Sequence, residues 1–164
     1  MGKIRLNLWF DTQAEEAARF YTGIFRDSRL GAIARYPDAG REIHGKPPGS
    51  VMTVEFELNG QPLVALNGGP NFTFNEALSL EVDCADQAEV DYYWDRLSEG
   101  GDPGAQQCGW LKDRFGVSWQ VVPRALQELL NDPDRAKSER AFEAMLQMKK
   151  LDIQALHRAI EATS

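Results

Sequence analysis

Histidine and cysteine are scarce in this 164-residue chain, with only two of each: His44 and His157, Cys84 and Cys108. Two thiols without a CxxC spacing exclude both a disulfide framework and a four-cysteine zinc site. They read as small side chains of a reduced, cytoplasmic protein. Transition ions draw on imidazole, thiolate or several carboxylates together. Two distant histidines supply little of that, so both read as surface residues, and no metal or other cofactor is expected. Positive charge is also short: 18 Lys and Arg stand against 25 Asp and Glu, for a net charge of −7. That balance excludes the basic patch by which a protein holds nucleic acid or an anionic membrane. Long apolar runs are missing as well. The opening Met1-Gly-Lys-Ile-Arg-Leu-Asn7 has neither a signal-peptide core nor a membrane span.

What is present is a duplicated pattern. Leu6-Asn-Leu-Trp-Phe-Asp11 and Leu78-Ser-Leu-Glu-Val-Asp83 alternate in the same way. Each precedes a helical stretch, with Ala17, Phe20, Tyr21 and Ile24 in the first and Val90, Tyr93, Trp94 and Leu97 in the second at helical spacing. Gly23 and Glu99-Gly-Gly101 are expected to mark the helix ends. After the first helix, strands are expected over 29–36, 51–58 and 62–66. The last two are joined by Asn59-Gly60, a strong hairpin signal between alternating apolar residues. After the second helix come strands near 106–112 and over 117–122. Residues 37–48 form a polar loop with proline at both ends.

From Ala125 onward the spacing is helical. Leu126, Leu129 and Leu130 make a short helix stopped by Asp132-Pro133; longer helical stretches follow around Ala141, Met145 and Met148, then Ile153, Leu156 and Ile160. The two methionines read as packing residues.

Strand parity separates two faces. Leu6, Leu8 and Phe10, and likewise Leu78, Leu80 and Val82, are expected under the helices. Arg5, Asn7 and Trp9, with Ala77, Ser79 and Glu81, take the opposite face. In Val117-Ser-Trp-Gln-Val-Val122, Trp119 falls on the helix side and Gln120 on the other. Gly116 supplies the backbone freedom of the preceding turn, and Pro123, with no N–H to donate, is expected to end the ladder.

The run Cys108-Gly-Trp-Leu-Lys-Asp-Arg-Phe-Gly-Val-Ser-Trp-Gln-Val-Val-Pro123 resembles the closing strand of a half-barrel module in the vicinal oxygen chelate superfamily, which includes glyoxalase, bleomycin-resistance proteins and extradiol dioxygenases. Leu8-Trp-Phe-Asp11, Val54-Glu-Phe-Glu-Leu-Asn-Gly60, Ala65-Leu-Asn-Gly-Gly-Pro70, Phe74-Asn-Glu-Ala77, Val90-Asp-Tyr-Tyr-Trp94 and Ala144-Met-Leu-Gln-Met-Lys-Lys-Leu-Asp-Ile153 extend the likeness over nearly the whole chain. They are similar to the PhnB-like branch, labelled 3-demethylubiquinone-9 3-methyltransferase. The resemblance implies an α+β fold of two βαβββ modules, about 3–70 and 71–124, in one domain over 1–124, with a helical tail over 125–164. It also implies a homodimer.

In metal-dependent members of the superfamily, an ion sits on the concave face between a first-strand His or Gln and a closing-strand Glu. By the resemblance those positions fall on Arg5 and Ala77, and on Gln120, so no metal is expected. The resemblance, with parity, makes the polar face concave and assigns a small-molecule ligand to Asn7, Trp9, Asn67, Phe72, Phe74, Ser79, Glu81, Trp110, Asp113 and Gln120. Asp113 reads equally well as a turn cap, Gly68-Gly69 as a turn, and Phe72, Phe74 and Trp110 have core packing as the alternative. The methyltransferase label finds no counterpart in the residues. Asn67-Gly-Gly-Pro70 leads into Phe72 and Phe74 rather than a helix, and Gly100-Gly-Asp-Pro-Gly104 follows a helix rather than a strand. A cofactor-binding turn of a parallel α/β sheet needs the reverse. No Ser-His-Asp or Cys-His set can be assembled either. The function expected is that of a protein that binds, and in one reading also transforms, a small molecule in the concave pocket without an obligatory metal. Non-catalytic sequestration of the bleomycin-resistance type is the alternative.

Overall fold

In the computed structural model, which describes residue 2 and residues 4–161, the duplicated pattern becomes two compact units divided between Phe74 and Asn75. Lys3, at the start of the expected first module, and residues 162–164 of the expected tail lie outside the described residues. Among the described residues, no helix is long and apolar enough to cross a membrane.

The first unit runs β1 (Leu6–Phe10), α1 (Ala14–Ile24), β2 (Ser28–Arg35), a one-turn α2 (Arg41–His44), β3 (Val51–Leu58) and β4 (Gln61–Asn67). The sheet order is β1-β4-β3-β2, with β1 parallel to β4 and the other pairs antiparallel. This is the expected βαβββ module. Asn59 and Gly60 both take left-handed φ, 48° and 81°, the geometry of a two-residue hairpin turn. Helix α1 buries Ala14, Ala17, Ala18, Tyr21 and Ile24, and Leu8, Phe10, Val54, Phe56, Leu63 and Ala65 are buried on the sheet it packs against.

Two expectations change here. Gly23 does not end α1; the helix continues through Ile24 because Ile24 and Phe25 are buried and Phe25 N–H still bonds Tyr21 O. The polar loop over 37–48 contains α2, bracketed by Gly40 and Gly45 in left-handed conformation.

The second unit runs β5 (Leu80–Cys84), α3 (Gln87–Ser98), a 3-10 turn (Pro103–Ala105), β6 (Trp110–Lys112) and β7 (Ser118–Pro123). The tail helices α4 (Arg124–Leu130), α5 (Arg135–Leu146) and α6 (Ile153–Glu161) follow. The sheet order is β5-β7-β6, with β5 and β7 parallel. Among the described residues this module has three strands, one fewer than the first. The stretch after α3, Glu99-Gly-Gly-Asp-Pro-Gly104, has no alternating run from which to build another. Helix α3 is capped reciprocally: Asp86 accepts from Glu89 N–H, and Glu89 accepts from Ala85 N–H. Its Val90, Trp94 and Leu97 are buried with Val82, Leu111, Trp119 and Val121.

Two local readings are corrected in this unit and a third holds. Leu78 is not under the helix; it precedes β5 and is 59% exposed. The strand expected over 106–112 is a tight hairpin. Gln107 and Trp110 exchange both backbone hydrogen bonds around Cys108 (φ 50°) and Gly109 (φ 85°), and only 110–112 join β7. Pro123 does close the ladder, opposite Cys84, and α4 begins at the next residue.

The tail is built into this unit. Leu126, Leu129, Ala141, Leu151 and Leu156 form a core with Val122, and Met145 and Met148 pack against it. Cys108 N–H and Gly109 N–H donate to Met148 O and Lys149 O, both at 2.8 Å. Gln87 donates to Leu151 O and accepts from Ile153 N–H.

Candidate functional site

Helices α1 and α3 each bury one face of their own sheet. Among the described residues, the opposite face of the first sheet carries no helix of its unit, and that of the second is packed by the tail at Val122 and partly exposed at Glu81, Trp110 and Gln120. In the first unit, register puts Trp9, Leu66 and Thr53 in one row across that face and Asn7, Val64 and Glu55 in the next. Asn7 is exposed, and Arg5 is held to Glu55 at 2.8 Å. The half-buried Trp9 donates from Nε1 to Gly69 O at 2.8 Å, and its ring lies directly over Gly68. A Cβ on Gly68 would stand 2.2 Å from the indole, so the glycine there serves close approach rather than only a turn. Phe72 meets Trp9 edge-to-face at 4.9 Å and is largely exposed; Phe74 meets Phe10 at 5.1 Å.

Asn67 is buried and tied at both ends of its amide. Oδ1 accepts from Ala14 N–H at the start of α1, and Nδ2 donates to Val51 O. His44 is half-buried and stacked on Tyr36 at 4.9 Å, with Nδ1 accepting from Lys46 N–H, so it is not the surface residue expected; His157 is exposed.

In the second unit, Glu81, Gln120 and Trp110 form one row across the open face. Gln120 Nε2 donates to Ser79 Oγ at 2.9 Å. Glu81 is exposed, and Trp110 and Ser79 are half-buried. Asp113 is buried at the foot of this sheet. Its Oδ1 accepts from Phe115 N–H and Val117 N–H, and its Oδ2 from the indole Nε1 of Trp119, at 2.8, 3.1 and 2.9 Å. This carboxylate caps the turn that launches β7.

The next row on the same face is Lys112 opposite Ser118. These two residues, with Trp110, Leu111, Ala105 and Glu76 among the others, line a recess of about 370 Å³ that lies wholly within the second unit. Ser118 is 1% exposed, and its hydroxyl has no hydrogen-bond partner. Lys112 Nζ holds Glu76 Oε1 at 2.5 Å, and that hydrogen bond keeps the Glu76 carboxyl below the usual carboxylate range. Sequence reading passed over Ser118, Lys112 and Glu76, although Ser118 shares the parity of Gln120.

A model of the 3-demethylubiquinone-9 3-methyltransferase family matches residues 2–122. A putative 3-demethylubiquinone-9 3-methyltransferase, PhnB protein, from Bacillus cereus is 36% identical, over 74% of this chain and 99% of its own, with a TM-score of 0.62. The chain belongs to this PhnB-like family. A Pseudomonas aeruginosa protein (21% identity, 75% of this chain and 98% of its own, TM-score 0.57) has the same fold. So does the fosfomycin resistance protein FosX from Mesorhizobium loti (15%, 73% of this chain and 89% of its own, 0.51). No curated protein matches the chain.

Within the PhnB-like frame, the metal positions of the wider superfamily can be tested against the donors present. Arg5 is a cation paired with Glu55, Ala77 precedes β5, and Gln120 turns its amide nitrogen to Ser79. Among the described residues, no group of three or more His, Cys, Asp or Glu could hold an ion. This donor set does not fit a transition ion. Burial pushes the Cys84 thiol up to about 12, so it stays a neutral packing group.

Proposed function

We propose that this PhnB-like protein binds a small molecule on the open face of its second sheet, without an obligatory metal ion. The observation that supports the reading is the Gln120–Ser79 hydrogen bond, at 2.9 Å, on a half-buried face walled by Trp110. A neutral amide–hydroxyl pair stands at the position where the sequence resemblance puts a metal-binding Glu. With Nε2 on Ser79, the amide oxygen serves as an oriented acceptor for a ligand donor. Glu81 lies in the same row; the first sheet, taken by itself, offers a polar group at Asn7 and a stacking surface at Trp9.

A thermal-shift screen of small metabolites supplies the ligand, since a molecule that binds the native state raises its melting temperature. Gln120→Ala then weakens that ligand by about 1–3 kcal/mol with little change in stability. Trp119→Ala, buried on the helix side, costs about 3–5 kcal/mol of stability. The reverse pattern, binding lost with Trp119 and stability lost with Gln120, overturns the reading.

Sequestration is the second reading, favoured by the Trp9–Phe72 edge-to-face pair with Phe72 65% exposed, which suits a flat ligand. Recovery of the ligand unchanged after prolonged incubation supports sequestration, and product formation excludes it. The family resemblance also supports a homodimer. Light scattering at micromolar concentration then returns twice the 18.4 kDa chain mass, and a monomer contradicts it.

A further inference from the structure

We infer that the Ser118 recess is an anion subsite: it takes the carboxylate of a compact, otherwise apolar ligand, with Lys112 Nζ and Ser118 Oγ as donors and Glu76 as the resident carboxylate displaced. The inference rests on the small-molecule reading above and narrows its ligand class. A recess of about 370 Å³ lies near the lower end for ligand pockets, which run roughly 300–1,000 Å³, and suits one ring with a substituent. Its wall is mostly apolar, with Trp110, Leu111 and Ala105 on it.

The buried polar exception is Ser118 Oγ, which has no partner in the fold. Buried hydroxyls are almost always hydrogen-bonded, so this one points to an atom the protein does not itself supply. Lys112 sits directly opposite Ser118 in the antiparallel ladder, and such pairs hold their Cβ atoms roughly 4.5–5.5 Å apart on one face. A single carboxylate can therefore meet both donors.

Glu76 marks how the cation is used. It comes from the segment before β5, its side chain is 62% exposed, and it rests on Lys112. An exposed ion pair contributes little, so a ligand carboxylate that adds the buried Ser118 bond and the Trp110 wall replaces it readily. A cation would face Lys112, and a neutral carbonyl would gain only Ser118.

The test is amide chemical-shift mapping of the intact chain with benzoate, benzyl alcohol and benzylamine as probes, repeated on Ser118→Ala, Lys112→Met and Glu76→Gln. Benzoate alone is expected to give saturable shifts at Lys112, Ser118 and the Trp110 indole. Its affinity should fall about tenfold or more in Lys112→Met, fall about five- to tenfold in Ser118→Ala, and rise in Glu76→Gln. Ser118→Ala removes an unpartnered hydroxyl and should leave the melting temperature unchanged or higher. A clear drop means the hydroxyl serves the fold and overturns the premise. Equal response to all three probes, or weaker benzoate binding in Glu76→Gln, removes the anion assignment. Shifts confined to Ser79, Glu81 and Gln120 remove the subsite and leave the broader reading standing. No saturable shift with any probe removes the subsite, while the metabolite screen separately decides the broader reading.

Discussion

The Asp113 carboxylate should be the largest single polar determinant of stability in the second unit. It is 2% exposed and accepts hydrogen bonds from Phe115 N–H, Val117 N–H and Trp119 Nε1. Hydrogen bonds to a charged group contribute about 1.5–3 kcal/mol each, and donors left in a buried site add a desolvation cost. Overlap among the three and water access to the half-buried Phe115 bring the expected cost of Asp113→Ala to about 3–5 kcal/mol. Asp113→Asn keeps one oxygen for the backbone donors but turns an amide N–H toward the indole N–H, for about 1.5–3 kcal/mol. Trp119→Phe keeps an aromatic ring in the core but removes the indole donor and part of the ring volume, with a cost in the same range.

Because these two changes strike one bond, the double variant should be less destabilised than their sum by about 1–2 kcal/mol. Urea denaturation with an unchanged slope reads all four states. Additive effects, or an Asp113→Ala cost within about 0.5 kcal/mol of zero, would refute the reasoning that this carboxylate joins the turn to the core.

Two further outcomes follow from the same geometry. Gly68→Ala places a Cβ against the Trp9 ring and should displace the indole from Gly69 O, costing about 1–3 kcal/mol and shifting tryptophan fluorescence; unchanged emission and stability would contradict the close approach. Lys150 holds Asp91 at 2.8 Å, and that hydrogen bond lowers the Asp91 pKa, so its stabilisation is present above the unfolded value of about 3.9 and is lost as pH falls through the lower folded value. Lys150→Met should therefore flatten the fall in stability on acidification below about pH 4, measured by denaturation across that window; an unchanged acid slope would show that the pair does not hold the tail.

The first module was legible because its signals are local. Alternation in residues 6–10, the helical spacing of Ala17, Tyr21 and Ile24, and Asn59-Gly60 each act within a few residues, and each appears in the fold. The same turn geometry recurs at Cys108-Gly109 and escaped notice, because cysteine in the left-handed region carries none of the asparagine signal. Leu78 was placed under a helix because alternation continues past the true strand edge; only ladder pairing, which begins at Leu80 opposite Trp119, sets that boundary.

In the site, parity correctly put Gln120 and Ser79 on one face and Trp119 in the core. The Asn67–Ala14 anchor and the Trp9–Gly68 contact join residues more than 50 positions apart, and the Asn67–Val51 bond crosses from one strand to another, none of which a local pattern reveals. The Ser118 hydroxyl became conspicuous only once its neighbours were in place, since a serine in an alternating strand looks like any polar-face residue.

The most direct test of the central claim is amide chemical-shift mapping of chelator-treated protein with the strongest ligand from the metabolite screen. The account predicts saturable binding without added metal, with the largest shifts on the open face of the second sheet at Ser79, Glu81, Trp110 and Gln120. Binding that appears only with a stoichiometric transition ion, or shifts centred on Val90, Trp94 and Trp119 beneath the helix, would contradict it.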